Sequence, residues 1–300
     1  MTSKQRMLAV LDGKSVDAIP VAPHWWGVYK HEIAETDGIT AASTANGEHR
    51  VSHLTEVDAH FYQVFSPDWF HLGAAEWHLD PYAERQEDRQ NLIERLQRLN
   101  DATVIEDYLA VEALTEEDIR KTGTYEHVRE IVKRYGGDVF VAVNEGNPVC
   151  GVFDPHGLIG FERGLVALVE KPHLMERLLF GLYDLRLTWM RVLADFGCHA
   201  YIGSETYVGA DLISPNAYRS VIFPAQEHFY KSLSVIGLIP IAYYCGDVVP
   251  MIPVINELPI KALMVEESRK GFELDPVNIR QKLAESITLF GNLDTVSTLR

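Results

Sequence analysis

The stretch Leu238–Asp247, LIPIAYYCGD, is an apolar run that stops abruptly in a thiol, a glycine and a carboxylate. Such a run reads as a buried strand, and polar residues bunched at its exit suit chemistry delivered at a strand's C-terminal end. Gly246 lets the chain turn sharply or come close to a ligand. Two segments of the same shape follow, Ile260–Ser268 (IKALMVEES) and Ile287–Asp294 (ITLFGNLD). The connections are long enough for helices, so three such strands in a row predict βα units around a parallel sheet.

Upstream, Met7, Leu8, Val10 and Leu11 predict a short amphipathic helix over residues 3–12, capped by Ser3 and ended by Gly13. Ile19–Ala22 reads as the first strand, with His24, Trp25 and Trp26 just past its end. The two tryptophans suit either core or pocket wall, and His24 either a structural or a pocket histidine. Residues 31–60 read as helix or irregular chain. Phe61–Leu72 holds a second strand, broken at Ser66-Pro67 and followed by Asp68 and Trp69. Asp68 beside aromatics is either a carboxylate with a raised pKa or a turn or helix-cap residue.

Residues 74–112 are polar, with Leu92, Ile93, Leu96 and Leu99 at helical spacing, and read as an insertion or lid. Thr115 opens a helix to about Tyr135 with a capping-box pattern. Asp138–Asn147 is the third strand and carries Glu145 at its exit. Pro172 opens a long apolar-faced helix to Phe196, capped by Gly197. His199–Gly203 is the fourth strand, ending in Ser204-Glu205-Thr206. Ser214 and Pro215 start a further helix that Pro224 can kink.

Seven candidate strands thus alternate with helices. Their exits hold His24, Asp68, Glu145, Glu205, Cys245 with Asp247, and Glu266 with Glu267. That is the layout of an α/β protein of the (β/α)8 TIM-barrel class, one domain over residues 1–300, with its site on the C-terminal face. An eighth strand is not found, so the last β/α unit is read as missing from the chain. A net charge of -16 without any Lys/Arg run argues against nucleic-acid binding. The three cysteines, Cys150, Cys198 and Cys245, form no C-x-x-C pair and suit a reducing cytoplasm. The N-terminus lacks a signal-peptide core. The longest uncharged run, Ser232–Gly246, is too short to cross a bilayer and contains Pro240. A cytoplasmic protein is expected, away from membranes.

Five short segments together resemble the uroporphyrinogen decarboxylase superfamily. They are ML..L.GK.VD.IPV at residues 7–21, EKPHLMERLL at 170–179, LISP..Y...IFP at 212–224, YYCGD at 243–247 and ITLFGNLD at 287–294. The resemblance covers nearly the whole chain and implies a (β/α)8 barrel. True uroporphyrinogen decarboxylases carry an R-Q-A-G-R segment after the first strand; here Pro23-His-Trp-Trp-Gly27 stands there. A substrate with many carboxylates needs guanidinium partners, so the corrinoid-linked methyltransferase branch is favoured. Asp68 resembles the aspartate that stabilises pyrrole nitrogens in the decarboxylase branch.

The methyltransferase branch implies a small O- or N-methyl substrate and a corrinoid (cobalamin) carried by a partner protein. Its thiol-activating members hold zinc on an H-x-C pair and a later cysteine. Cys245 matches the cysteine of that pair, Tyr243 replaces its histidine, and Glu205 is the other candidate ligand. A lone cysteine also serves as a small apolar filler. On this reading Trp25, Trp26, Trp69 and Tyr243, with His24, Asp247 and Glu266, line the substrate pocket. Glu145, Glu205 or Asp68 protonates the leaving group. The alternatives are a uroporphyrinogen decarboxylase-like lyase and a catalytically inactive, ligand-binding barrel. A homodimer is left open.

Overall fold

The computed structural model describes residues 1–24, 27–39, 47–75, 79–268 and 271–293. The apolar runs form six strands: β1 (Trp69–Leu72), β2 (Phe140–Gly146), β3 (Ala200–Glu205), β4 (Ile239–Tyr244), β5 (Ala262–Val265) and β6 (Thr288–Phe290). All pair in parallel, in sequential order. Helices α1 (Ser3–Leu11), α2 (Gly27–Thr36) and α3 (Gly47–Phe65) precede β1. Helices α4 (Gln86–Leu96), α5 (Ala102–Glu112), α6 (Glu116–Thr122) and α7 (Glu126–Tyr135) lead to β2. Helices α8 (Pro148–Phe153), α9 (Phe161–Glu170) and α10 (Pro172–Asp195) lead to β3. Between β3 and β4 lie α11 (Pro215–Ala217), a π-helical turn (Tyr218–Ile222) and α12 (Phe223–Val235). Helices α13 (Ile252–Ile255) and α14 (Pro276–Lys282) follow β4 and β5.

Successive side chains of a strand point to opposite faces, and the register sorts them. Trp69, Phe140, Ala142, Ala200, Ile202, Ile241, Ala262 and Met264 form one apolar cluster with Met7 and Leu11 of α1. Phe70, Val141, Val143, Tyr201, Ala242, Tyr244, Leu263 and Val265 belong to a second cluster shared with α10 and α12. The first cluster is the inside of a curled sheet. Phe290 of β6 stacks on Trp69 of β1 at 5.7 Å, so the two edges approach across the interior. Helix α1 closes the end where the strands begin: Lys4 N–H donates to Asp138 O, and Thr288 Oγ1 to Val10 O. Among the described residues the architecture is an α/β half-barrel of six parallel strands, not the seven expected.

The missing strand is Ile19–Ala22. Ile19 is 88% and Val21 63% exposed. Pro20 and Pro23 lack the N–H groups a ladder needs. Val21 accepts one backbone bond from Asp68 and gives its own N–H to the Asp68 carboxylate. Phe61–Phe65 is likewise the end of α3, not strand. The 115–135 helix is two, because Gly123 turns left-handed at φ 73°. Thr2, rather than Ser3, caps α1 through a capping box with Gln5. Residues 74–112 hold α4 and α5, and α5 packs against α10 in the helix layer. No described helix is long and apolar enough to cross a membrane.

Candidate active site

Toward the C-terminal ends of β1–β4, the polar inside-facing positions are His71, Asn144, Ser204 and Tyr243. They form a connected polar rim. Ser204 Oγ donates to Asn144 Oδ1 at 2.8 Å, so the amide nitrogen of Asn144 faces His71 Nε2, 3.1 Å away. With the amide so oriented, His71 Nε2 is the acceptor and its proton sits on Nδ1. The His24 ring packs between His71 and Tyr243, at 4.5 and 4.7 Å. Pro23 fixes its approach by accepting from Trp69 Nε1 at 2.9 Å. Burial pushes the His24 pKa down to about 4, so the ring is neutral near pH 7. Burial, then the neighbouring Cys245 and the charges of Glu266 and Glu267, push the Tyr243 phenol far above its usual value. These rim side chains are therefore neutral hydrogen-bonding groups, with the Glu266 carboxylate beside them.

The loop after β4 closes this rim. Gly246 sits at φ 102° and donates to Glu266 Oε1 at 2.6 Å. Asp247 N–H donates to Asp211 Oδ1 at 2.8 Å, and Asp247 O accepts from Ala210. A Cβ on Gly246 would stand 2.5 Å from Asp211 Oδ1. Glu266 thus shapes the loop backbone, and the Asp247 carboxylate accepts from Val249 N–H. Gly246→Ala combines a left-handed φ with that collision, and is expected to cost about 1–3 kcal/mol in urea unfolding. An unchanged midpoint would mean that the loop is not held this way.

Glu145 and Glu205 lie on the other face of the sheet. The register pairs Glu145 with Gly203 and Glu205 with Tyr244, all on the helix side. Glu205 is fully buried and accepts from Asn147, Tyr183, Gln226 and Tyr230. Tyr218 and Tyr244 extend the network through Gln226. Gly203 leaves room for it, since a Cβ there would meet Asn147 and Tyr230 at 2.5 and 2.6 Å. Desolvation raises the Glu205 pKa to about 7 against the pull of its donors. Glu145 pairs with Arg186 at 2.6 Å. The convergence of Glu145, Glu205 and Cys245 on one mouth is therefore not what the fold makes: two-residue alternation puts the carboxylates behind the sheet.

Asp68 is displaced in the other direction. It precedes β1, at the end closed by α1, where it pairs with Arg6 and accepts from Val21 N–H. Conserving a fold, not performing chemistry, is what that end of a barrel does. Trp69 is buried at 1% exposure within the interior cluster, below the rim. Trp25 and Trp26 lie outside the described residues. His24, Tyr243, Cys245 and Glu266 gather near the rim. His71, Asn144 and Ser204 were missed, although alternation in FVAVNEG and AYIGSE marks Asn144 and Ser204 as inside-facing.

A zinc ion does not fit the donors on hand. The Glu205 carboxylate is taken by four side chains on the far face, and Tyr243 stands where a histidine would. Among the described residues no three His, Cys, Asp or Glu side chains are placed to hold a metal.

Among solved structures, a methyltransferase from Methanosarcina mazei is similar, with a TM-score of 0.74 at 16% identity over 100% of this chain and 85% of that one. At that identity the likeness is one of fold. A 3-keto-D-glucoside 4-epimerase from E. coli is 10% identical over 72% of this chain and 92% of its own, with a TM-score of 0.27 that carries no argument. No curated protein matches the sequence. The family model for uroporphyrinogen decarboxylase (URO-D) matches residues 99–300, from before β2 through β6 and the post-β4 loop, and the chain belongs to that family.

Proposed function

We propose that the chain is a methyltransferase that takes a methyl group from a small O- or N-methyl compound and passes it to a corrinoid carried by a partner protein. The observation that carries this reading is the absence of cationic side chains from the inside-facing strand positions. Toward the strands' C-terminal ends the inside-facing positions are His71, Asn144, Gly146, Ser204 and Tyr243 on β1–β4 and Met264 and Phe290 on β5 and β6, with no arginine or lysine among them. A neutral methoxy or methylamino compound suits such a rim, whereas a tetrapyrrole with many carboxylates needs cations.

The partner's corrinoid would supply a cobalt nucleophile for the methyl group. This chain binds and orients the methylated compound, with its heteroatom toward the Tyr243 hydroxyl. As the carbon–heteroatom bond breaks, its electron pair stays on the heteroatom. The Tyr243 O–H hydrogen-bonds that developing charge, and solvent supplies the proton that completes the leaving group. Neutral His24 packs against Tyr243 and holds its ring. No step runs through zinc, Asp68, Glu145 or Glu205.

The test offers cob(I)alamin and a panel of methoxylated and N-methylated aromatic and aliphatic compounds, and follows cobalt absorbance with product analysis. Demethylated product in stoichiometric step with cobalt methylation is expected. Carbon dioxide release from uroporphyrinogen, with no demethylation across the panel, would replace this reading with the decarboxylase.

A further inference from the structure

A cavity of about 370 Å³ lies on the helix side of the C-terminal end of β2, across the sheet from the rim. Its position follows from alternation: Asn144 faces the interior and Glu145 lines the cavity. Aromatic rings wall it, among them Tyr108, Tyr125 and Trp189. Two ion pairs, Arg186–Glu145 and Arg89–Glu112, leave its wall with no net charge. The two arginine side chains keep 28% and 31% of their surface, so the space is not sealed.

Hydrogen-bonding capacity is left over in that wall. The Glu145 side chain is 8% exposed, yet its Oε1 has no partner. The Tyr125 hydroxyl lies beside Glu145 and Arg186, within reach of both. A buried polar group left unbonded costs about 1–3 kcal/mol, and an incoming donor can recover it. Phosphates and other strong anions are not matched by a charge-balanced wall. Volumes of about 300–1,000 Å³ suit small organic ligands.

We infer that this cavity is a second small-molecule site, for a neutral single-ring aromatic compound whose O–H or N–H donates to Glu145 while its ring packs against Trp189 and the tyrosines. It is independent of the reaction proposed for the rim, and its test needs no turnover.

The probe is 4-fluorophenol, titrated by fluorine NMR, with fluorobenzene as the arm lacking a donor and 4-fluorobenzoate as the charged arm. One net hydrogen bond of about 1 kcal/mol corresponds to roughly fivefold tighter binding of the phenol than of fluorobenzene. Gly151 lines the cavity, and a Cβ there would meet no atom within 4 Å. Gly151→Leu is therefore expected to fill the space and weaken the phenol at least tenfold without moving the melting temperature by more than a few degrees. Leu182→Phe, from α10, is the second filling variant if Gly151→Leu folds poorly. Equal binding of phenol and fluorobenzene, tighter binding of the benzoate, or phenol affinity unchanged in both filling variants would each overturn the inference; the last would place the probe at the rim.

Discussion

Glu205→Gln should gain stability relative to the wild-type protein as pH rises from 4.5 to 7. The native state holds the Glu205 proton to about pH 7, whereas the unfolded chain releases it near 4.5. Between those values the unfolded state binds fewer protons, so stability falls as pH rises. The contribution is complete below pH 4.5 and gone above about pH 7. A span of 2.5 pH units at 1.36 kcal/mol each is on the order of 3 kcal/mol. Glutamine keeps the shape and one acceptor oxygen but does not titrate. The surface carboxylates Asp12, Asp17, Asp118 and Glu257 have lowered pKa values and act at lower pH, while burial lowers the pKa values of His24, His127 and His199, which make stability rise with pH over this window; both sets act alike in the two proteins. Urea unfolding of the two proteins at pH 5 and pH 8 measures the difference. Parallel profiles would show that Glu205 is ionised throughout and that its donors outweigh its burial.

Tyr243→Phe should lower kcat for methyl transfer by about 10²-fold, with KM and melting temperature little changed. A hydrogen-bond donor aimed at developing charge contributes about 10²–10³ in rate, and phenylalanine keeps the ring that packs on His24. Tyr243 is half-buried with its hydroxyl beside Cys245. A structural role alone would move stability rather than kcat. Wild-type kcat in this variant would take Tyr243 out of the reaction and leave the rim as a binding surface.

Strand identity was legible where apolar runs end in polar exits. β4 lies inside the Leu238–Asp247 run, β2, β5 and β6 fall within theirs, and β3 runs two residues past Gly203 to Glu205. Parallel pairing followed from helix-length connections. Three things were not legible. Ile19–Ala22 has strand composition, but its flanking prolines and exposure deny it a ladder, and exposure is a tertiary property. Phe61–Phe65 packs three aromatics into five residues and suits either period, and the helix begun at Gly47 wins. The site was misread for a simpler reason. A carboxylate at a strand's exit draws attention by its chemistry, whereas its face is decided by the count from its neighbours. Glu145 follows Asn144 and Glu205 follows Ser204, and one residue moves a side chain through the sheet. The long helix was clear from its period, yet that Tyr183 of α10 and Gln226 of α12 would meet Glu205 depended on packing between distant elements.

The claim beneath the functional reading is that chemistry belongs to the interior rim and that the carboxylates behind the sheet do not take part. The methyl-transfer rate of Glu205→Gln, measured near pH 7 where its fold is checked by circular dichroism, tests this directly. A rate within about threefold of wild type is the expected result, since the Glu205 carboxylate is held by Asn147, Tyr183, Gln226 and Tyr230 behind the sheet and not by a rim side chain. A loss of 10²-fold or more in a folded variant, in the range of a missing general acid, would contradict it and move the active centre to the helix side.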